Sequence, residues 1–572
     1  MFKKRTFNNF FRKNSKKTID FFKISSYYSS IQELFCREEK SMKLNLNEIK
    51  NIKNISEVVN PAYDIETVKE NTMKAPKWLH FGAGNIFRAY VGKMQQNLLN
   101  KGLENTGIIV AESFDTEIID KVYKPHDNLT LSVILSKDGN FSTEVIASIV
   151  ESLKADTDKD TLKEIVKAPT LQMISFTITE KGYNLKTPNG EYMKVIEEDF
   201  QNSPEEAKHI MSIVTNLLYV RFKAGATPIA LVSMDNCAGN GDRVRAAVLD
   251  IAEHWVEKGY VEKEFLAYVS DEKKVAYPIS MIDKITPRPA EVVKEHLEKL
   301  GFEDMNIVVT SKNTYTGAFV NAEAPEYFVV EDKFPNGRPE LEKSEAGVYV
   351  TDRETVEKTE RMKVTTCLNP LHTTLAVYGC LLNEKTIFDA VSNPYLNKLI
   401  KNIGYGEALK VVDDPKILSP KAFIDEVINE RFANKFIPDQ PERIATDTSQ
   451  KVGIRFGETI KAYLASDELN VEDIRYIPLV YAGWFRYLLG IDDNGNERSI
   501  SPDPMLDMLK EKMAGIEFGK PETYKGQLRE ILKNKMIFGV DLEEVGMADR
   551  VEKYFVEMLA GKNAVINLLK KI

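Results

Sequence analysis

The segment Lys77–Tyr90, KWLHFGAGNIFRAY, decides the predicted fold. It has the pattern of a short apolar strand, a turn that contains Gly82 and Gly84, and the beginning of a helix. Glycines at these two positions permit a tight turn and a close backbone approach to a pyrophosphate, and the helix N-terminus adds its dipole. Phe87 stands where the third glycine of G-x-G-x-x-G would be. An ordinary strand–helix turn therefore stays open as an alternative to a dinucleotide-binding turn.

A second apolar strand, Gly107–Ala111, is followed by Glu112, 28 residues after Gly84. A carboxylate at the end of this strand would bind the adenosine ribose hydroxyls and repel a 2′-phosphate, which favours NAD over NADP. Asp115 could do the same, and either carboxylate could be a solvated loop charge. The candidate cofactor-binding residues are Gly82, Gly84, Asn85, Phe87, Arg88 and Glu112.

Two further apolar runs, 171–179 and 228–233, predict strands of a parallel sheet with crossover helices, which is an α/β fold. Ligands of open α/β sheets bind beyond the carboxyl ends of the strands. Polar clusters follow the apolar runs at Thr179–Tyr183, Ser233–Gly241 and Tyr277–Pro287. Within the second cluster, Asn236 is either an amide that holds an alkoxide or an Asx-type loop cap.

A lysine, an asparagine and a histidine lie within ten residues of each other in the segment 361–380, RMKVTTCLNPLHTTLAVYGC. Asn369 and His372 are three residues apart and would share one face of a helix. A lysine with a lowered pKa can take a proton from an alcohol, while an amide and an imidazole can hold the oxyanion that results. Lys363, Asn369 and His372 are therefore candidate catalytic residues, and a capped helix entrance is the alternative.

The composition excludes several classes of function. With 572 residues, the chain should form two or three domains, and a net charge of −9 argues against a general nucleic-acid binder. Four cysteines without a CxxC pair favour a reducing compartment, and hence the cytoplasm. Six scattered histidines give no sequence support for a zinc site, and no apolar run is long enough to predict a membrane span.

The first 41 residues differ from the rest, with ten Lys/Arg against four Asp/Glu. They lack the apolar core of a secretory signal, so a transit peptide and a start codon assigned too early both stay open. We predict a disordered tail over residues 1–41 that takes no part in catalysis.

Taken in order, these motifs resemble the mannitol dehydrogenase family of long-chain polyol dehydrogenases over residues 75–565. The matching segments are Gly82–Arg88, Thr179–Tyr183, Ser233–Gly241, Met281–Pro287, Asn369–His372, Arg431–Asn434 and Ala482–Gly490. The resemblance implies a Rossmann-type NAD-binding domain over 42–355 and a mostly helical substrate domain over 356–572. It also implies zinc-independent hydride transfer between NAD(H) and a secondary alcohol of a sugar acid or polyol, in a monomer or homodimer.

The resemblance assigns roles to individual residues. Lys363 resembles the general base, Asn236 and Asn369 the amides that hold the alkoxide, and His372 a residue that binds a substrate hydroxyl. Arg431 resembles a substrate contact, with a surface ion pair as its alternative. Asp283 resembles a carboxylate that shapes the site or binds substrate, with a turn cap as its alternative.

The lysine is six residues before the asparagine, whereas the family usually has five. On a regular helix at 100° per residue, Lys363 would point 180° away from His372. Pro370 cannot donate to the carbonyl of Thr366, so a regular helix should not continue here. We predict a π-bulge or kink between Lys363 and Asn369. A straight helix would instead leave Arg361 or a water chain as the base.

The substrate is predicted from charge. A uronate needs a cationic pocket for its carboxylate, whereas a polyol does not. Lys181, Arg361 and Lys435, together with the Asn-Pro-Leu-His-Thr segment, favour the pair D-fructuronate and D-mannonate. Tagaturonate reduction and mannitol 2-oxidation are the alternatives, and an inactive nucleotide-binding regulatory protein is the alternative from another class.

Overall fold

The computed structural model describes residues 41–437 and 439–572. The disordered tail predicted for residues 1–41 lies outside these residues, apart from Ser41. No helix in the described part is long and apolar enough to cross a membrane.

Fifteen strands occur in the described residues, all of them before residue 352. They are β1 (Val58–Val59), β2 (Trp78–Phe81), β3 (Ile108–Glu112), β4 (Thr130–Leu135), β5 (Phe141–Ile146), β6 (Ile149–Lys154), β7 (Met173–Phe176), β8 (Ile229–Ser233), β9 (Val275–Ala276), β10 (Ser280–Asp283), β11 (Val308–Val309), β12 (Tyr315–Thr316), β13 (Phe319–Ala322), β14 (Tyr327–Glu331) and β15 (Val348–Thr351).

Six of these strands form a wholly parallel sheet in the order β6-β3-β2-β7-β8-β9. Numbered by their appearance along the chain, the strands run 3-2-1-4-5-6, which is the strand order of a Rossmann fold. Every residue of β2, β3, β7 and β8 is buried, as expected for strands covered by helices on both faces. The predicted α/β class and the Rossmann-type domain are confirmed.

The polar run 277–287 does not extend this sheet. Strand β10 pairs antiparallel with β14, which pairs parallel with β15, in a separate three-stranded sheet. A four-stranded sheet, β1-β5-β4-β13, and the hairpin β11-β12 complete the strands. Strands β10 to β15 lie in sequence between the last Rossmann strand and the helical part of the chain, whereas β1 precedes the Rossmann strands and β4 and β5 lie between β3 and β6. Strand β10 ends at Asp283, which belongs to the candidate site.

The α-helices of the described residues divide at residue 352. Before it lie α1 (Ile49–Ile52), α2 (Ile65–Lys74), α3 (Gly92–Asn100), α4 (Lys159–Lys167), α5 (Thr179–Tyr183), α6 (Lys194–Gln201), α7 (Ile210–Lys223), α8 (Asn240–Glu257), α9 (Lys263–Ser270) and α10 (Glu291–Lys299). After it lie α11 (Arg353–Arg361), α12 (Asn369–Leu382), α13 (Ile387–Ser392), α14 (Pro394–Lys401), α15 (Pro420–Glu426), α16 (Pro441–Ile444), α17 (Glu458–Leu464), α18 (Tyr476–Leu488), α19 (Leu506–Lys512), α20 (Arg529–Leu532), α21 (Lys535–Phe538), α22 (Ala548–Met558) and α23 (Ala564–Leu569).

Two apolar helices form the centre of the helical part. Helix α18 is buried over nearly its whole length and packs against both α12 and α22. Helix α12 is almost as apolar, and a helix that is hydrophobic all round belongs in the interior of a large domain. The carboxyl-terminal part of α12 is therefore fixed in the core, while its first turn, with Asn369 and His372, stays partly exposed.

π-Helical turns recur in the described residues, at Phe87–Val91, Ile119–Tyr123, Met362–Cys367, Asn402–Glu407, Val427–Arg431 and Gly453–Gly457. Such turns absorb one extra residue and are frequent at functional sites. Four of the six carry an arginine or lysine of the candidate site: Arg88, Lys363, Arg431 and Arg455.

Candidate active site

The glycine turn after β2 has the geometry that the sequence predicts. Gly82 has φ +109°, and a Cβ at this position would lie 2.2 Å from the carbonyl oxygen of Thr177. A Cβ on Gly84 would instead meet no atom within 4 Å. The first glycine is thus required by the fold, whereas the second leaves open space over the turn. The arrangement fits a dinucleotide, because that space is where backbone groups could approach a pyrophosphate.

Glu112 ends β3 beside this turn. Its carboxylate accepts hydrogen bonds from the backbone N–H of Ala83 at 2.7 Å and from the N–H groups of Ser113, Phe114 and Asp115. The hydrogen bonds of Glu112 therefore connect the glycine turn to the loop after β3. Its negative charge stays next to the turn, where it would disfavour a 2′-phosphate.

Three other residues near the turn have no face open to a nucleotide. Asp115 is buried and accepts a hydrogen bond from the Thr310 hydroxyl at 2.6 Å, so it is not the ribose-binding alternative. The Phe87 ring is fully buried and stacks on His80 with 4.1 Å between ring centroids. The structure places both side chains in the packing beneath the turn.

Arg88 is also fully buried, although the sequence pattern suggested a cofactor contact. Its guanidinium donates to the backbone carbonyl of Gly317, to the hydroxyls of Thr130 and Thr316, and to Oδ1 of Asn85. Arg88 therefore supports the turn from below and orients Asn85, which stands at the beginning of the helix. This buried position does not favour the nucleotide contact that was predicted for Arg88.

A hydrogen-bond network fixes the loop after β8. Asp235 accepts from the backbone N–H groups of Ile178 and Thr179 and from the Tyr183 hydroxyl, which joins this loop to the loop after β7. Burial raises the pKa of Asp235 above its ordinary value. Buried Asn240 donates to the backbone carbonyls of the same loop and to the Ser280 hydroxyl. The loop that carries Asn236 is thereby held at the carboxyl end of the parallel sheet.

The chain is not a straight helix between Lys363 and His372. Residues Met362–Cys367 form a π-helical turn, in which the N–H of Leu368 donates to the carbonyl of Lys363 five residues earlier, at 3.2 Å. Leu368 then leaves helical geometry, with φ −123° and ψ −62°, and α12 begins at Asn369 with Pro370 in its first turn. The π-bulge predicted from the six-residue spacing is confirmed. Because the helix is not straight, Arg361 is not needed as the alternative base. Arg361 forms an ion pair with Asp413.

The π-helical turn directs Lys363 toward the sheet. Its side chain is buried, and Nζ lies 3.1 Å from Oδ1 of Asn236 and 2.9 Å from the carbonyl oxygen of Ile282. The third neighbour of Nζ is Oδ1 of Asp283, also at 3.1 Å. An ammonium has three N–H donors, and each has an acceptor here.

Asp283 bridges two cations. Its second oxygen accepts from Nη1 of Arg431 at 2.7 Å, and the Nε of Arg431 lies 3.2 Å from Oε2 of Glu323. Burial would raise the pKa of Asp283, but Arg431 and Lys363 outweigh it and hold that pKa below the usual value. Arg431 is buried, so its alternative of a surface ion pair is wrong. The two oxygens of Asp283 pair with Arg431 and Lys363, and no backbone N–H of the following turn donates to them among the described residues.

Glu323 is the member of this group that sequence reasoning missed. It is 1% exposed, and its Oε1 accepts from the backbone N–H of Ile285 at 2.7 Å. Burial raises its pKa to about 7, and Arg431 only partly offsets that effect. Nothing in the segment around it marks it as a site residue, because its role depends on Arg431, which lies more than a hundred residues further along the chain.

Asn369 and His372 occupy the exposed edge of α12. The amide of Asn369 makes no hydrogen bond to any residue that the structure describes, so its donors are available to a substrate oxygen. His372 Nε2 lies 3.0 Å from Oδ2 of Asp439, a second residue without a sequence signal. Burial lowers the pKa of His372, and Asp439 only partly counters this. His372 and Arg431 line one cavity together with Leu368 and Asn434.

The three cations that the sequence suggested for a carboxylate pocket do not form such a pocket. Lys181 and Lys435 are exposed, and Arg361 is paired with Asp413. Among the described residues, no group of three or more His, Cys, Asp or Glu side chains is arranged to hold a metal ion.

A Rossmann sheet is followed in this chain by a helical part whose Lys363 contacts Asn236 of the loop after β8, an arrangement that defines a nucleotide-dependent oxidoreductase. Two family models match this chain, the mannitol dehydrogenase Rossmann domain over residues 76–343 and the mannitol dehydrogenase C-terminal domain over residues 355–559. The chain therefore belongs to the mannitol dehydrogenase family, as its motifs predicted.

Individual relatives agree with this assignment. The chain is 52% identical to the D-mannonate oxidoreductase of Thermotoga maritima over 515 residues, which cover 90% of this chain and 95% of that protein. A mannitol 2-dehydrogenase from Pseudomonas fluorescens, solved as a ternary complex with NAD and D-mannitol, is 25% identical with a TM-score of 0.67, covering 93% and 99% of the two chains. A substrate-free D-sorbitol dehydrogenase has a TM-score of 0.72 at 24% identity, covers 91% and 100%, and shows the shared fold.

Proposed function

We propose that this protein catalyses the reversible, zinc-independent reduction of D-fructuronate to D-mannonate by NADH. The broader class follows from family membership: the chain is an NAD-dependent dehydrogenase that acts on a CH–OH group of a polyol or hexonate. The choice of substrate is supported by the 52% identity to a protein named D-mannonate oxidoreductase. The proposed chemistry is supported above all by the position of Lys363 Nζ between Asn236 and Asp283.

NADH supplies the hydride in this reaction when it is bound. The residues that would hold the dinucleotide are Gly82 and Gly84, whose turn leaves room for the pyrophosphate, and Glu112, whose charge disfavours NADP. Asn85 lies where the helix begins, and its side chain is oriented by Arg88 at 2.8 Å.

Lys363 is assigned the proton transfer. In the direction of reduction, its ammonium donates a proton to the carbonyl oxygen as the carbonyl carbon is reduced, and in oxidation its amine takes the hydroxyl proton. Asp283 positions the side chain for this step, because it contacts Nζ at 3.1 Å and is itself fixed by Arg431. Acid–base catalysis by a positioned group typically contributes 10²- to 10⁴-fold to the rate.

Asn236 and Asn369 are assigned to the substrate oxygen. Oδ1 of Asn236 accepts from Lys363, which leaves its amide N–H groups free of described partners and next to the proton donor. The Asn369 amide is equally free at the start of α12. Neutral amides stabilise a developing alkoxide without adding a charge that competes with the lysine.

His372 is assigned to a substrate hydroxyl. Asp439 faces Nε2 of the ring at 3.0 Å, so Nδ1 remains for a neighbouring hydroxyl. Burial lowers the pKa of His372, which favours the neutral ring, and a neutral ring has one N–H donor and one acceptor nitrogen.

A side-by-side substrate comparison tests the proposal. Purified protein is given NADH and either D-fructuronate, D-tagaturonate or D-fructose, and NADH oxidation is followed by absorbance. We expect kcat/KM to be highest for fructuronate by at least tenfold. A preference for tagaturonate or for fructose would overturn the assignment of substrate. Dialysis against a chelator beforehand should leave the rate unchanged, and its loss would contradict zinc independence.

A further inference from the structure

The proposed substrate carries a carboxylate that fructose lacks, and this section rests on that proposed function. A carboxylate is bound most strongly by an arginine whose charge is not already neutralised. Four cations lie near the first turn of α12: Arg431, Arg443, Lys451 and Arg455. Their neighbours differ, and these neighbours decide which cation is available.

Arg431 and Arg443 are already neutralised. Arg431 lies between Asp283 and Glu323, whose carboxylates would repel a third carboxylate brought to the same guanidinium. Nε of Arg443 donates to Oδ1 of Asp439 at 2.9 Å. Nη2 of Arg431 has no hydrogen-bond partner among the described residues, but Asp283 already compensates the charge of Arg431, and Asp439 compensates that of Arg443.

The side chain of Lys451 is hydrogen-bonded to backbone carbonyl groups. Its Nζ donates to the carbonyl oxygens of Ile444 and Thr446. Burial lowers its pKa, and the nearby charge of Arg455 lowers it further. Lys451 therefore adds positive potential to this region, while its own donors are used by the protein.

Arg455 is different, because it has no anionic partner. It is partly buried, and Nη1 donates to the hydroxyl of Thr373. No Asp or Glu of the described residues lies within ion-pair distance of its guanidinium. Burial lowers the pKa of Arg455 to about 10, with no nearby carboxylate to counter the effect. A partly buried cation without a counter-ion is unfavourable in the free protein, and an anionic ligand would relieve that cost.

The position of Arg455 suits the far end of a hexonate. Thr373 follows Asn369 by four residues on α12, so it lies on the same face about one turn further along, about 6 Å away. In fructuronate the carboxyl carbon is four carbon–carbon bonds from the carbonyl carbon, and an extended chain of that length spans a similar distance. A substrate whose reacting oxygen is at Asn369 can thus reach Arg455 with its carboxylate.

The segment that carries Arg455 is fixed by two glycines. Arg455 is the middle residue of the π-helical turn Gly453–Gly457, which packs against the π-helical turn of Lys363. A Cβ on Gly457 would lie 2.1 Å from the carbonyl oxygen of Phe538, and one on Gly453 would lie 2.7 Å from that of Ile537. The close approach holds the backbone of Arg455 in place, as a specificity residue requires.

We propose that Arg455 binds the carboxylate of the substrate and makes this active site select hexulosonates over neutral ketohexoses. Lys363, Asn236 and Asn369 act on the reacting end, and Arg455 with Thr373 holds the other end. Arg455 is therefore a specificity residue and takes no part in hydride or proton transfer.

The variant Arg455→Met tests this assignment, because it keeps the length of the side chain and removes the charge. We expect KM for fructuronate to rise about 100-fold, as for loss of one partner of a desolvated charge pair. The kcat should stay within tenfold and the affinity for NADH unchanged. Arg455→Lys should recover part of the KM. The control Arg361→Met removes an arginine that is near Lys363 but paired with Asp413, and it should leave KM within threefold.

The outcomes separate this inference from the proposed function. If wild-type protein prefers fructuronate and Arg455→Met has a KM within threefold of wild type, the assignment of Arg455 is wrong and the proposed function stands. If wild-type protein prefers tagaturonate, with the same KM increase in the variant, the substrate is wrong and Arg455 keeps its role. A preference for fructose overturns both. Loss of NADH binding or a collapsed melting curve in both Arg455 variants would assign Arg455 to the fold instead.

Discussion

Replacement of Lys363 by methionine is the most direct test of the catalytic assignment. The side chain keeps its length and its apolar contacts but loses the proton. If Lys363 is the acid–base group, kcat for fructuronate reduction should fall 10²- to 10⁴-fold. That range corresponds to about 2.7–5.4 kcal/mol in the activation free energy at 1.36 kcal/mol per decade. The affinity for NADH, measured by fluorescence titration, should be unchanged, since Lys363 does not belong to the glycine turn.

Lys363→Met should also lower the free energy of unfolding. Lys363 loses its contacts with Asn236, Ile282 and Asp283, and a hydrogen bond to a charged group contributes about 1.5–3 kcal/mol. Asp283 keeps Arg431 at 2.7 Å, so its carboxylate is not left without a partner. The variant should therefore fold, with a moderately lower midpoint of urea unfolding and near-normal NADH binding.

The neighbouring lysine provides a matched control. Lys284 is also buried, but it follows the last residue of β10 and donates to the backbone carbonyl of Glu323 at 2.6 Å and to Glu326 at 2.8 Å. Lys284→Met should lower stability by a comparable amount and change kcat by less than tenfold. A Lys363→Met enzyme within tenfold of wild-type kcat would refute the assignment. Equal losses of kcat in both variants would refute it too, because the loss would then follow from damage to β10.

Two other predictions concern the glycine turn after β2 and the buried carboxylate of Glu323. Gly84→Ala should leave the melting temperature unchanged, because its Cβ meets nothing within 4 Å, and should weaken NADH binding at least tenfold. Gly82→Ala should instead lower the melting temperature, because φ is +109° and its Cβ would lie 2.2 Å from the carbonyl oxygen of Thr177. If Gly84→Ala lowered the melting temperature and Gly82→Ala weakened only NADH binding, the nucleotide would bind elsewhere. Burial raises the pKa of Glu323 from 4.5 to about 7, so the folded protein holds a proton that the unfolded chain releases. The free energy of unfolding should therefore fall as the pH rises from about 4.5 to 7, and Glu323→Gln should flatten that slope in urea titrations; an unchanged slope would contradict this origin.

Local patterns were sufficient for much of the fold. The strand, glycine turn and helix of segment 77–90 follow from hydrophobic pattern and glycine spacing, and both are local properties. The break before Asn369 also follows from local chemistry, since one residue of extra spacing and Pro370 together rule out a regular helix. The structure confirms both expectations because each depended on neighbouring residues in the chain.

Contacts between distant segments could not be predicted in this way. Arg88 stands in a motif that suggests nucleotide binding, yet it is fully buried under the turn and bonded to residues more than two hundred positions away. Glu323, Asp439 and Arg455 belong to no motif, and each gains its role from a partner on another segment. A single sequence shows which residues are present. These roles depend on which charged side chains are paired in the folded structure, and the pairs join segments that are far apart in the chain.

The extra residue before Asn369 explains how the two halves of the site meet. A regular helix through 363–372 would turn Lys363 away from His372, toward the far side of the helix. The π-helical turn rotates Lys363 toward the sheet, where Asn236 and the Ile282 carbonyl receive its Nζ. Because Leu368 then leaves helical geometry, α12 begins anew at Asn369 and keeps the free amide at its first position. The extra residue thus lets Lys363 contact the loop after β8 and the end of β10 while Asn369 and His372 stay in the first turn of α12, and the proposed function requires a substrate to bind between these two groups.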